Sequence, residues 1–188
     1  MLEIRIHGRG GQGAVTAAEL IAVASWQEKK SVQAFPFFGV ERRGAPVEAF
    51  VRIDDEPIKI RSQVYQPNFL IIQDETLIKV IDVFRGLRPE AIVLINSGEP
   101  ITKFTKKIPA NGKVFTVPAT DIALRNLGKP ILNTALLGAF AAATNLFSLD
   151  ALKKAIRERF VDKDIAAGNI NAAKEAFNFI NQNYAIKK

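Results

Sequence analysis

The chain has 188 residues, 48% of them hydrophobic, and a formal net charge of +7 with an isoelectric point near 9.7. That length buries a full core as one domain, and the absence of Cys excludes disulfides, thiolate-held metals and a cysteine nucleophile. The basic balance calls for an anionic partner, whether nucleic acid, an acidic subunit or a phosphorylated cofactor.

In chain order, Leu2 to Ile6 is an apolar run that reads as a buried first strand. Gly8-Arg9-Gly10-Gly11-Gln12-Gly13 follows, with the G-x-G-x-x-G spacing of a dinucleotide loop. Ala14 to Lys29 is then a helix, with Val15, Ala18, Ile21, Ala22, Ser25 and Trp26 as its packed face. Ser31 to Phe35 is a second strand. Phe35-Pro36-Phe37-Phe38-Gly39-Val40-Glu41-Arg42-Arg43-Gly44-Ala45-Pro46 is a rigid loop, rich in Pro, Gly and aromatics, that aims two arginines. Val47 to Ile53 alternates as a strand, Asp54 to Pro57 turns, and Ile58 to Arg61 is expected to return as the second arm of a hairpin. Phe69 to Ile72 is a strand buried on both faces. Asp74 caps a helix expected over Glu75 to Phe84. Ala91 to Asn96 and Lys113 to Val117 are further strands, and Thr120 to Leu127 is a helix. Ile131 to Leu146 is an Ala- and Gly-rich helix, Ser148 caps another, and Asp162 to Tyr184 forms the last.

The alternation predicts an α/β fold: a doubly wound, mostly parallel Rossmann-like sheet with a β-hairpin insertion and C-terminal helices. Residues 1–188 are expected to form a single domain, its C-terminal helical part spanning 131–188. A cytoplasmic location is expected. The start enters a strand directly, without a signal-peptide pattern, and the most apolar stretch, Ile131 to Phe147, is interrupted by polar residues.

The glycine loop admits three readings. A dinucleotide site wants an acidic residue at the end of the second strand, and Ser31 to Phe35 has none. A phosphate or other anion would use the helix N-terminus, and a tight βα turn would set its glycines against a neighbouring chain. Arg42 and Arg43 read as anion-binding or docking forks. His7 is expected to be a hydrogen-bonded structural residue, since no orienting partner for acid–base work is visible. Lys103, Lys106, Lys107 and Lys113 make a basic patch, read first as solvated surface. Asn133 and Thr134 either cap their helix or face a ligand. No catalytic set and no metal-ligand spacing emerges.

Three stretches together carry a resemblance: Gly8 to Ala14, Phe35 to Val47, and Asn133-Thr134-Ala135-Leu136-Leu137-Gly138-Ala139-Phe140. In this order they resemble the gamma subunits of 2-oxoacid:ferredoxin oxidoreductases. Glu41-Arg42-Arg43-Gly44-Ala45-Pro46 is similar to the pyruvate and branched-chain versions, whereas the 2-oxoglutarate branch more often carries a Glu-Met-Arg-Gly-Gly-like sequence. Val40 departs from the family, where many relatives have Pro. The resemblance implies a non-catalytic gamma subunit of a heterotetramer with alpha, beta and delta partners. That complex decarboxylates pyruvate to acetyl-CoA and reduces ferredoxin. Thiamine diphosphate, Mg and iron–sulfur clusters would lie in the partners, in keeping with a chain that has no Cys to ligate a cluster. It further implies coenzyme A or anion contacts at Arg9, Gly10, Gly11, Gln12, Gly13, Arg42 and Arg43. A subunit interface is expected at Phe35, Phe37, Phe38, Glu41 and Gly44. No nucleic-acid or membrane partner is expected, since the charges are dispersed and no nucleic-acid motif accompanies them. The alternatives are a branched-chain enzyme's gamma subunit and a free-standing nucleotide-binding oxidoreductase.

Overall fold

The computed structural model describes residues 1–37, 44–105, 108 and 111–184. The elements are β1 (Leu2–Arg9), α1 (Ala14–Gln27), β2 (Ser31–Phe37), β3 (Pro46–Asp54), β4 (Phe69–Ile72), β5 (Ile92–Asn96), β6 (Lys113–Val117), α2 (Ala119–Leu127), α3 (Asn133–Thr144), α4 (Leu149–Arg159) and α5 (Lys163–Asn183). Short 3-10 turns occupy Glu75–Lys79 and Ile101–Lys103.

The six strands form one mixed sheet in the order β2-β3-β1-β4-β5-β6. β1, β4, β5 and β6 pair in parallel, while β3 runs antiparallel to both β1 and β2. A parallel neighbour needs a crossover over one face of the sheet, and the chain uses both faces. Strand alternation then sorts the core. Ile4, Ile6, Val51, Ile71 and Leu94 pack with buried residues from all five α-helices. The alternate residues Leu70, Ile72, Val93 and Ile95 pack instead under Leu77, Val83 and Phe104. Both faces are covered. The α-helices nevertheless share one face, and 3-10 turns cover the other.

Four expectations are corrected. Ile58 to Arg61 forms no strand: both edges of β3 are already hydrogen-bonded, to β2 and β1, which leaves no ladder for a returning arm. The hairpin is instead β2–β3. Glu75 to Phe84 gives the 3-10 turn Glu75–Lys79 and then turns, not a helix. Ile78, Val80, Ile81 and Val83 are β-branched and poor helix formers. The Asp74 cap does form, Oδ1 accepting from the Thr76 N–H at 2.9 Å. On α1 the packed face is Ala14, Ala17, Ala18, Leu20, Ile21, Ala24 and Ser25, and Trp26 is exposed. Finally, α3 starts at Asn133 rather than Ile131 and is buried along all but its last residue. A helix apolar all round is a core helix, and α3 lies between the sheet and the outer helices. No described helix is long and apolar enough to cross a membrane.

Candidate functional site

β1 leads back through α1 to β2 on one side of the sheet, while β4 leads to β5 and β6 on the other. The reversal falls between β1 and β4, and α/β sheets form their ligand crevices at such points. The glycine loop leaves β1 at this place. Gly13 is the N-cap of α1 with φ 77°, in the left-handed region that favours glycine. The spacing has a further purpose. A Cβ on Gly8 would lie 2.2 Å from Gln73 Oε1, and one on Gly13 would lie 2.3 Å from Asn133 Nδ2. The first and third glycines of the fingerprint thus make room for two amide side chains.

Arg9 is tied inward. Its Nε donates to Asp74 Oδ2 at 2.7 Å, one terminal nitrogen to Thr76 Oγ1 at 2.8 Å and the other to the Gly44 carbonyl at 3.0 Å. Gln12 Oε1 accepts from the Arg9 N–H at 2.7 Å. The Gly10 N–H donates to the Ala45 carbonyl at 2.9 Å, and the Gly44 N–H to the Gly10 carbonyl at 3.1 Å. The glycine loop therefore grips the stem from which β3 begins. Burial opposes the charge on Asp74, but the Thr76 hydroxyl, the Arg9 guanidinium and the Thr76 N–H outweigh it and hold the carboxyl below its ordinary value.

Beside this loop opens a cleft of ≈ 760 Å³, reaching from Gly10 through Gln73, Asn96 and Asn133 to Arg159 and Phe160. That volume suits a cofactor-sized ligand. Asn96, at the end of β5, donates to the Gln73 carbonyl and to Thr120 Oγ1, both at 2.9 Å, and so joins β4 to the start of α2. Glu75 accepts from the Ser97 hydroxyl. On the far wall the Arg159 guanidinium lies 5.6 Å from the centre of the Phe160 ring. Among the described residues, no group of acidic or histidine side chains is placed to hold a metal.

Residues 3–179 match the family described as pyruvate ferredoxin/flavodoxin oxidoreductase. The chain belongs to that family. It is 54% identical over 177 residues to pyruvate synthase subunit PorC of Methanothermobacter marburgensis, covering 94% of this chain and 96% of the relative. It is 53% identical over 181 residues to the common gamma subunit of pyruvate/ketoisovalerate oxidoreductases of Thermococcus kodakarensis, covering 95% and 96%. The crystal structure of pyruvate oxidoreductase subunit PORC from Thermotoga maritima superposes with a TM-score of 0.84 at 38% identity, over 94% and 95% of the two chains. The present chain is a gamma-type subunit of this oxidoreductase family, part of an enzyme with other subunits.

In this gamma-type chain the other sequence-predicted residues fall in two places. Gly10, Gly11, Gln12 and Gly13 line the cleft, while Arg9 is engaged behind it. Phe35 and Phe37 lie on the sheet face opposite the α-helices, 5.3 and 6.3 Å from the Phe50 ring, with Phe37 exposed. Gly44 is exposed at the stem. Phe38, Glu41, Arg42 and Arg43 lie outside the described residues, as do Lys106 and Lys107. Lys103 bridges Glu99 at 3.1 Å, a solvated pair of the kind expected. His7 is 1% exposed, and Glu48 Oε1 stands 3.7 Å from its Nδ1, too far for a hydrogen bond. Burial first, then the Arg5 and Arg85 charges, push its pKa down to about 3. It is a neutral buried ring, but the hydrogen bond expected of it is not formed: neither ring nitrogen has a partner among the described residues. Sequence reasoning missed Gln73 altogether. The usable signal was its place directly after a doubly buried parallel strand, where crevices form.

Proposed function

We propose that the chain is the gamma subunit of a pyruvate:ferredoxin oxidoreductase, docking on alpha, beta and delta subunits in a heterotetramer and forming part of the path by which coenzyme A reaches the reacting acyl group. The observation that carries this is the switch-point cleft, with the glycine loop on one side and the stem of the arginine-bearing loop hydrogen-bonded to it through Gly10. Arg42 and Arg43 follow one another directly before Gly44 in the sequence, two guanidinium groups within a few residues of that stem. Coenzyme A is polyanionic at one end, and guanidinium forks suit its phosphates. With no Cys, the chain leaves any cysteine-ligated cluster to its partners, along with thiamine diphosphate and Mg.

The test is the coenzyme A affinity of the assembled complex carrying Arg42→Ala or Arg43→Ala. The expected result is a weaker apparent affinity, roughly ten-fold for a lost charge-assisted contact, with pyruvate affinity unchanged. Unchanged coenzyme A affinity in an intact complex overturns the arginine assignment. A second reading, a gamma subunit shared with a branched-chain 2-oxoacid enzyme, is favoured by the relative from Thermococcus kodakarensis, whose name spans both substrates. Co-purification with one or two sets of catalytic subunits separates the two readings.

A further inference from the structure

Gln73 is 1% exposed and Asn133 is 7% exposed, and both line the cleft. Gln73 Oε1 and Nε2 and Asn133 Oδ1 are buried with no hydrogen-bond partner among the described residues. Folding leaves such groups unpaired rarely, because each costs most of its lost hydration. Here the arrangement is built rather than incidental. Gly8 and Gly13 lack the Cβ that would collide with these amides. Asn96 fixes the Gln73 backbone from the neighbouring strand. Two helices of 14 and 12 residues, α1 and α3, start beside them with N-caps Gly13 and Leu132, neither making a side-chain cap bond. Their free N–H groups favour an acceptor oxygen.

The electrostatics narrow the ligand. The lining carries Asp74 and Glu75 against Arg159. Asp74 is neutralised by Arg9, and Glu75 accepts from Ser97 with Lys103 Nζ 4.0 Å away. No surplus of positive charge remains on the lining for a polyphosphate. Both amides are folded against their glycines, and what they offer on turning toward the cleft is a donor and an acceptor on Gln73 and an acceptor on Asn133, beside the electropositive starts of two helices. An uncharged group with both an N–H and a carbonyl matches that set.

We infer that Gln73 and Asn133 form an amide-reading floor for an uncharged secondary-amide segment of the ligand, of the kind found in a pantetheine arm. The inference rests on the coenzyme A reading above and divides the ligand. The amide-bearing arm lies along the cleft, and the phosphates stay outside it.

The assembled complex is assayed with pantetheine and with the adenosine bisphosphate end of coenzyme A as separate competitors. Gln73→Met keeps size and removes both polar atoms, and Asn133→Leu serves as the independent second variant. Each weakens inhibition by pantetheine about three- to ten-fold, the value of one or two lost hydrogen bonds, and leaves inhibition by the adenosine bisphosphate unchanged. Pantetheine inhibition unmoved in both variants overturns the inference, and so does an equal loss for both fragments, which signals distortion of the cleft. Arg42→Ala reads out the parent proposal separately. If Arg42→Ala alone changes coenzyme A affinity, the amide floor falls and the arginine assignment stands. If Gln73→Met alone acts, on pantetheine, the reverse holds.

Discussion

Arg52, on β3, and Gln73, just past β4, are both 1% exposed, and the fold treats them in opposite ways. The guanidinium of Arg52 is partnered at every nitrogen. Nε donates to Glu3 at 2.9 Å, one terminal nitrogen to Gln33 at 3.1 Å, and the other to the Ser62 and Gln63 carbonyls at 2.7 and 3.1 Å. Phe35 covers it, 5.4 Å from the ring centre. Every partner comes from within the chain, so this network is complete without a ligand and ties strands β1, β2 and β3 to the segment that follows them. The Gln73 amide has no such set of partners among the described residues. A buried polar group that its own chain satisfies belongs to the architecture. One left open beside a cleft belongs to recognition.

The largest effect that could break this comparison is expected from Arg52→Ala. It removes the 2.9 Å partner of buried Glu3, leaving only Arg88 at 3.8 Å, and opens a cavity under Phe35, at a cost of about 3–5 kcal/mol. Thermal unfolding should show a large drop, with coenzyme A affinity unaltered in whatever complex assembles. A mild effect would mean that the network is ornamental.

A middle-sized effect concerns His7. The folded protein keeps its pKa at about 3, against 6.5 for the ordinary imidazole, through burial and then the Arg5 and Arg85 charges. The unfolded chain takes up a proton near pH 6.5 that the folded chain refuses until about pH 3. The contribution is therefore whole above pH 6.5 and is lost as pH falls, by roughly 2 kcal/mol at pH 5. Denaturant titrations at the two pH values measure it. In His7→Gln the pH slope over this interval should flatten, and an unchanged slope would assign the acid sensitivity to other groups.

The smallest effect sharpens the comparison most. Gln73→Met removes an unpaired amide at similar volume, so stability should hold or rise by about 1 kcal/mol while pantetheine recognition falls. Opposite signs for stability and binding mark a recognition residue. A clear loss of stability would place Gln73 with Arg52 instead.

Much of this was legible in the sequence, for physical reasons that differ from place to place. The strands, the glycine turn and the caps at Asp74 and Ser148 depend on neighbours close in the chain, and the structure shows both caps formed. The family was legible because three stretches combine in one order, and residues 3–179 match it. Pairing was less legible. β3 lies between β1 and β2, so the expected return strand at Ile58 had no free edge, and nothing local to residues 58–61 reports that. The purpose of the glycines was hidden in the same way. Gly8 and Gly13 fit a dinucleotide pattern, yet the groups they accommodate, Gln73 and Asn133, arrive from 65 and 120 positions further on. Trp26 falls on the periodic stripe yet is exposed, because helical periodicity fixes the spacing of a stripe but not its rotation toward the sheet.

The most direct measurement is a structure of the assembled oxidoreductase with coenzyme A bound. The account predicts the pantetheine arm against Gln73 and Asn133, its amides paired with theirs, and the phosphates outside the cleft beside Arg42 and Arg43. Coenzyme A seated elsewhere, with partner-subunit side chains filling the cleft and pairing those two amides, would contradict it.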